Sequence, residues 1–326
     1  MLNWMATGSR VRTMDDGAVV LVTGAAGFVG SHAVDRLIAG GCKVEAVDDL
    51  SFGSIANLDD ARTDGGLRFH QIDVRTPDFI DLVGRVKPDS IVHLAGHVDR
   101  PGSLLDPLYD ADVNVLGTLN VLESVRAHEI QKICVGVHGL FRREAASTGR
   151  IVVGQEPRTP SHISTEAVVD YTRVHGDVYG LDVRVVALAN VYGPRQRTDV
   201  NGPVIANFVA AAVAGDPLRV QGDGTQLRDF VYVDDAVDAI ARSLDVESGA
   251  VIPVGSGVAT SVSEVANTVA AVSGRDVSVE FGAARLLDRP GVGFPIQDAA
   301  HRLEWAPWTT LREGIAATMS QAGDNS

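Results

Sequence analysis

Lysine is almost missing from this chain: three in 326 residues, Lys43, Lys87 and Lys132. Two cysteines, Cys42 and Cys134, are too few for a disulfide framework and have no metal-ligand spacing. They point to a reducing compartment, so a cytoplasmic location is expected and no metal is. No apolar run approaches the ~20 residues that a membrane-spanning helix needs. Residues 1–16 lack the apolar core of a signal peptide and read as a disordered leader, or as a start placed upstream of Met14. Positive charge is in deficit as well. The 28 Lys and Arg against 42 Asp and Glu leave −14 at neutral pH, which argues against nucleic acid or an anionic membrane as partner. There is no internal repeat and no low-complexity tract. What remains is a globular chain, 45% hydrophobic, long enough for one large or two modest domains.

The stretch Val19-Val20-Leu21-Val22-Thr23-Gly24-Ala25-Ala26-Gly27-Phe28-Val29-Gly30 organises it. Four apolar, mostly β-branched residues read as a buried parallel strand. Glycines follow at a spacing of three, then an amphipathic helical run from Phe28 to Ile38. Gly24 permits the tight turn, Gly27 lets backbone approach a pyrophosphate, and Gly30 lets helix pack close on strand. Asp48 ends the next strand, Lys43 to Val47, about where an acid accepts ribose hydroxyls and repels a 2′-phosphate, which favours NAD over NADP.

Further strands are expected at Leu67 to Ile72, Ser90 to Leu94, Lys132 to Val137 and Asp182 to Leu188. Helices are expected at Pro77 to Val86, at Asp106 to His128 as one long helix, and at Ile163 to Tyr179. Residues 138–161 read as irregular, with a short apolar run Ile151 to Val153. This alternation means an α/β fold with a doubly wound parallel sheet of Rossmann type, whose ligands sit at the strand C-terminal ends. After Leu188 the pattern becomes mixed, so the expected division is a dinucleotide-binding domain at 17–189 and a smaller mixed α/β substrate region at 190–326, some of whose elements return to the first domain.

With these residues placed, the chain resembles the extended short-chain dehydrogenase/reductases, and within them the nucleotide-sugar epimerases and dehydratases of the UDP-glucose 4-epimerase type. The likeness runs from about Ala18 to Met319. Its carriers are the glycine motif, Asp48 to Ser51, His93-Leu94-Ala95, Asn114 to Thr118, Asn190 to Gln196, and Gly222 to Asp235. The resemblance implies that Gly24, Gly27, Phe28, Val29 and Gly30 hold the NAD pyrophosphate and Asp48 the ribose. It implies that Asp73 and Val74 flank the adenine, and that Leu94 and Ala95 line the cofactor near the nicotinamide. Asn190 and Arg228, with Arg289 as a second arginine, would contact the diphosphate of a nucleotide sugar. A homodimer is also implied, formed through the helices at Asp106 to His128 and Ile163 to Tyr179, with Val113, Leu116 and Val121 on the apolar face of the first.

One part of the family pattern is absent. The family uses a Tyr, a Lys four residues on, and a Ser just after the fifth strand. No Tyr-x-x-x-Lys occurs anywhere in this chain. His162 stands where Tyr is expected, Glu166 where Lys is expected, and Gly136-Val137-His138-Gly139 replaces the serine cluster. A unit charge at ~5 Å in an effective dielectric of ~20 is worth roughly 3 kcal/mol, so reversing it approaches about 6 kcal/mol before screening. A carboxylate stabilises the oxidised, cationic nicotinamide and disfavours hydride uptake from a sugar. His162 and Glu166 share a helix face, and a histidine oriented by a carboxylate is a workable acid or base. The leading expectation is an enzyme, epimerase or dehydratase in type, with an atypical His162, Glu166 and His138 site that works either through a transient ketone or by non-redox chemistry, such as proton abstraction beside an existing ketone or an elimination. The alternative is a catalytically silent protein that binds NAD or a nucleotide sugar. A reductase of a non-sugar substrate fits Arg228 and Asn190 to Gln196 less well.

Overall fold

The computed structural model describes residues 17–63, 65–138, 141–143, 151–153, 159–198, 203–284 and 293–324. The proposed leader and Arg289 lie outside them. The main sheet has seven parallel strands: β1 (Val19–Thr23), β2 (Lys43–Asp48), β3 (Leu67–Gln71), β4 (Ser90–His93), β5 (Lys132–His138), β8 (Asp182–Leu188) and β12 (Ala250–Val254). Their spatial order is β12-β8-β5-β4-β1-β2-β3. Central strands covered on both faces have no wet side to alternate towards, so Val20, Leu21, Val22, Ile91, Val92 and Ile133 run together and are all fully buried. Helices α1 (Phe28–Ala39) and α9 (Val233–Ser243) pack together on one face, and α3 (Pro77–Val86), α6 (Gly117–Ala127) and α7 (Pro160–Tyr179) lie side by side on the other. The doubly wound α/β expectation is borne out. The chain order reverses between β1 and β4, which puts a ligand crevice above their C-terminal ends.

The later region has its own core around Ile205, Phe208, Leu218, Val265 and Ile315. It packs α8 (Val204–Ala214), α10 (Val262–Ser273) and α12 (Leu311–Asp324) with two small sheets. One pairs β10 (Leu218–Gln221) with β14 (Val279–Gly282). The other has the order β13 (Ala259–Ser261), β11 (Leu227–Tyr232), β9 (Asn190–Tyr192).

Two expectations need correction. The segment Asp106 to His128 is not one regular helix. It is α5 (Pro107–Ala111), a π-helical turn at Asp112–Leu116, and α6. Heptad spacing cannot reveal this wider turn. It swings Asn114 round so that its side chain meets the His97 backbone, accepting from the N–H at 2.7 Å and donating to the carbonyl at 3.0 Å. Of the apolar face named on this segment, Leu116 is exposed but Val121 is wholly buried in the sheet core. The stretch read as irregular after β5 also contains a short antiparallel pair, β6 (Phe141–Arg143) and β7 (Ile151–Val153).

Candidate active site

Backbone approach shapes the first half of the site. Gly24 sits at φ +66, in the left-handed region, and a Cβ on it would stand 2.7 Å from the Ala95 nitrogen. A Cβ on Gly30 would stand 1.9 Å from the Gly24 carbonyl oxygen. Gly27 caps α1, and the first intrahelical bond runs from the Ser31 N–H to the Gly27 carbonyl. The N–H groups of Phe28, Val29 and Gly30 therefore precede any helical acceptor and face the crevice, as an anion site requires. Asp48, buried at the end of β2, accepts the Ala26 N–H at 2.9 Å and the Leu50 N–H at 2.8 Å. It thus braces the glycine turn from the end of β2, and burial raises its pKa above the ordinary carboxylate value. The hollow, the N–H groups and the acid fit a dinucleotide.

A hydrogen-bond chain behind the hollow holds the β4 loop. Thr23 Oγ1 accepts the N–H groups of Leu94 and Ala95, each at 3.2 Å. Its own proton goes to His93 Nδ1 at 2.7 Å, so His93 carries its proton on Nε2 and donates it to Thr118 Oγ1 at 3.0 Å. Thr118 passes its proton to the Asn114 carbonyl at 2.6 Å. Every member is satisfied only with a neutral imidazole, and complete burial pushes the His93 pKa down to about 4. Thr23, His93, Asn114 and Thr118 lay in motifs of the sequence without being given roles. The signal for Thr23 and His93 was the polar residue inside an otherwise apolar strand end. Asp73 is gripped by the Arg75 guanidinium, whose hydrogen bonds hold its carboxyl below the ordinary range, and Arg75 reaches on to Asp112 at 2.5 Å. Val74 beside it is buried.

The second half of the site is made of side chains. Helix α7 begins at Pro160, with Thr159 as its cap accepting the His162 N–H at 3.4 Å. It ends at Gly180, in the left-handed conformation, two residues before β8. Because β8 runs upward in the sheet, α7 runs downward, and its first turns lie at the ligand edge. His162 and Glu166 occupy those turns and are half-buried. His138 is the last residue of β5, beside Leu188 of β8 in register, and so ends at the same edge. The topology brings these three residues to one corner, next to the cofactor loop.

The two residues expected at a sugar diphosphate, Asn190 and Arg228, fall on neighbouring strands. Asn190 starts β9 opposite Phe230, and Arg228 lies two positions earlier on β11. Asn190 donates to the Asp229 carbonyl at 2.9 Å, which leaves its side-chain oxygen for other uses. The Asp229 carboxylate is committed elsewhere: it accepts the N–H groups of Ser256, Gly257 and Phe294 at 2.7, 2.9 and 2.8 Å and the Ser256 hydroxyl at 2.8 Å. Arg195, with φ 64, pairs with Asp35 of α1 at 2.7 Å and so fastens the Asn190 to Gln196 segment to the glycine-motif helix. Among the described residues, no group of three or more His, Cys, Asp and Glu could hold a metal ion, and no helix is long and apolar enough to cross a membrane.

A Rossmann sheet with a glycine cradle and an acid at the end of β2 defines a dinucleotide-binding α/β enzyme fold. Comparison with known proteins makes the class specific. Residues 20–255 match the NAD dependent epimerase/dehydratase family, and the chain belongs to that family. It is 37% identical to a UDP-glucose 4-epimerase of Mycolicibacterium smegmatis, covering 92% of this chain and 96% of that one. It is 32% identical to UDP-glucuronic acid decarboxylase 6 of Arabidopsis thaliana, covering 91% and 86%. The solved UDP-glucose 4-epimerase of Thermus thermophilus in complex with NAD superimposes with a TM-score of 0.82 at 31% identity, covering 93% of this chain and 98% of that one. The likeness to the extended dehydrogenase/reductases of nucleotide sugars is borne out, and the cofactor is NAD.

Proposed function

We propose that this chain is an NAD-dependent enzyme of nucleoside-diphosphate sugars in which His162, Glu166 and His138 replace the Tyr, Lys and Ser of its relatives. The observation that carries this reading is the start of α7 at the ligand edge, beside the end of β5, in a chain with no Tyr-x-x-x-Lys. When bound, the nicotinamide ring is a reversible hydride acceptor. Gly24, Gly27, Phe28, Val29 and Gly30 would hold its pyrophosphate, Asp48 the ribose, Asp73 and Val74 the adenine side, and Leu94 and Ala95 the far end. Arg228 supplies a planar, permanently charged fork for the sugar diphosphate, with Asn190 beside it and Arg289 as a second arginine.

His162 takes and returns a proton on the sugar. Glu166, one turn on the same face, orients the imidazole. His138 contacts the same sugar from β5. The Glu166 charge opposes oxidation of the sugar, so this corner suits proton abstraction beside an existing carbonyl, or elimination, better than hydride exchange. The M. smegmatis and T. thermophilus relatives are named for UDP-glucose, so UDP-sugars come first among the candidates.

NAD-loaded protein mixed with UDP-, dTDP- and GDP-sugars is expected to convert one UDP-sugar without building a reduced-nicotinamide absorbance band. His162→Ala and Glu166→Gln should each slow that conversion by about 100-fold, the low end of acid–base catalysis. Unchanged turnover in both variants would reject this site assignment.

The assembly proposed is a homodimer. The face built from α4 (Arg100–Leu105), α5, the π turn and α7 exposes Leu105 at 88%, Leu108 at 82%, Leu116, Ile163 and Val178. Large exposed apolar side chains of this sort are what a second copy covers. Light scattering should give twice the chain mass; a monomer at micromolar concentration rejects it.

A further inference from the structure

A buried acid lies between the two halves of the site, and no part of the functional reading uses it. Asp110, at the end of α5, is completely buried. Among the described residues no Lys or Arg forms an ion pair with it; its partners are polar groups from three separate segments. His97, four residues past β4, places Nδ1 at 3.1 Å from Asp110 Oδ1. Asn114 of the π turn donates to the same oxygen at 3.2 Å. Ser164 of α7 donates its hydroxyl to Oδ2 at 2.7 Å.

A carboxylate removed from water is costly unless its lone pairs are met, and three donors from three segments meet these. Each donor is itself held. Asn114 also clamps His97 by both backbone groups. The His97 ring stands edge-on to Tyr109 at 5.2 Å and tilted against Phe52 at 6.0 Å. Its other side lies against Gly102, where a Cβ would be 3.2 Å from Nε2. Ser164 lies between His162 and Glu166 in the sequence, on the opposite face of α7, and is buried. The Ser161 N–H adds a weaker tie, to Ser103 Oγ of α4 at 3.4 Å.

We propose that Asp110 is a positioning residue, which sets the first turns of α7 against the cofactor loop through Ser164 on one side and His97 with Asn114 on the other. Directional hydrogen bonds to a buried carboxylate fix an angle that apolar packing alone leaves free to slide. The two ends that Asp110 joins are the loop after Ala95 and the helix that carries His162 and Glu166. A glycine-shaped cradle and a reactive helix are useful together only when held to within a fraction of an ångström. The turnover part of the test below rests on the proposed function; the exchange part does not.

The gentlest probe is Ser164→Ala, which removes one hydroxyl and leaves Asp110 with two donors. Ser164→Thr keeps the hydroxyl. Amide hydrogen exchange over residues 161–168 of the full-length, NAD-loaded protein should become about tenfold faster in Ser164→Ala and return to the parent rate in Ser164→Thr, as expected for loss of one hydrogen bond to a charged group. The kcat for the converted UDP-sugar should fall about tenfold in Ser164→Ala, with KM and NAD affinity within about twofold, and recover in Ser164→Thr. Parent-like exchange over 161–168 in Ser164→Ala overturns the proposal whatever the turnover. Equal losses in the Ala and Thr variants overturn it too, since the hydroxyl would then not be the cause. Faster exchange rescued by Thr, with no UDP-sugar converted even by the parent, upholds Asp110 and rejects the functional reading instead.

Discussion

The cradle at β1 and β4 and the corner at β5 and α7 share one edge of one sheet, yet they are built from different materials. The cradle is backbone. Gly24 touches the Leu94 and Ala95 main chain, Gly30 touches Gly24, and Thr23 and His93 tie the strand ends by hydrogen bonds that leave nothing unpaired. The corner is made of half-buried side chains on a helix whose cap, Thr159, and stop, Gly180, work whatever residues stand at 162 and 166. A change in the cradle disturbs the fold. A change at 162 or 166 leaves the elements that build the fold in place. That difference explains how a chain can keep the family's cofactor motifs and lose its Tyr-x-x-x-Lys.

The comparison breaks first at Gly30. Gly30→Ala places a carbon 1.9 Å from a main-chain oxygen that cannot move without shifting Gly24 and the β4 loop. It should cost about 3 kcal/mol or more and abolish NAD binding, measured by urea unfolding and calorimetric titration. His162→Ala, by contrast, should unfold within about 0.5 kcal/mol of the parent. Similar losses in the two variants would erase the distinction.

Buried titratable groups sharpen it next. The cradle holds neutral His93, its pKa pushed down to about 4 by burial. A group whose pKa is depressed on folding adds stability that is present above about 6.5 and is lost as pH falls towards 4. Helix α9 holds Asp235, accepting the Thr309 N–H at 3.0 Å and its hydroxyl at 2.8 Å, with burial raising its pKa to about 6. That contribution has the opposite sign: it is present below about 4 and lost as pH rises through 6. Each is worth on the order of 3 kcal/mol, over nearly the same range. The parent should therefore show a shallow stability profile from pH 4 to 6.5, while Asp235→Asn should gain stability steeply with rising pH. Urea midpoints at pH 4.5 and 6.5 decide it; a flat profile in Asp235→Asn would mean His93 does not stay neutral in the fold.

The smallest effect tests the charge in the corner. Glu166→Gln removes a negative charge proposed to lie near the nicotinamide. The ratio of NAD to NADH affinity should shift towards NADH by about tenfold, equivalent to ~1.4 kcal/mol. An unchanged ratio would place Glu166 away from the ring.

Much of this molecule is determined by local pattern. Val19 to Gly30 dictates strand, turn and helix because each residue type permits little else there, and the β-branched runs at Ser90, Lys132 and Asp182 dictate a parallel sheet covered on both faces. The loss of the dyad is likewise a fact of sequence, since three lysines and five tyrosines leave no pair at the required spacing. Other features depended on the assembled chain. The π turn at Asp112–Leu116 goes with the contact of Asn114 to the His97 backbone, a contact between segments that no helical period records. Val121 reads as one more apolar residue on a helix face, and only the sheet beneath decides that it is core while Leu116 is surface. Nothing in the local pattern singles out Asp110; its burial goes with His97, Asn114 and Ser164 converging on it from three segments. Periodicity along a chain carries burial against the nearest layer. The satisfaction of a buried polar group is a property of distant partners, and only the tertiary structure brings those together.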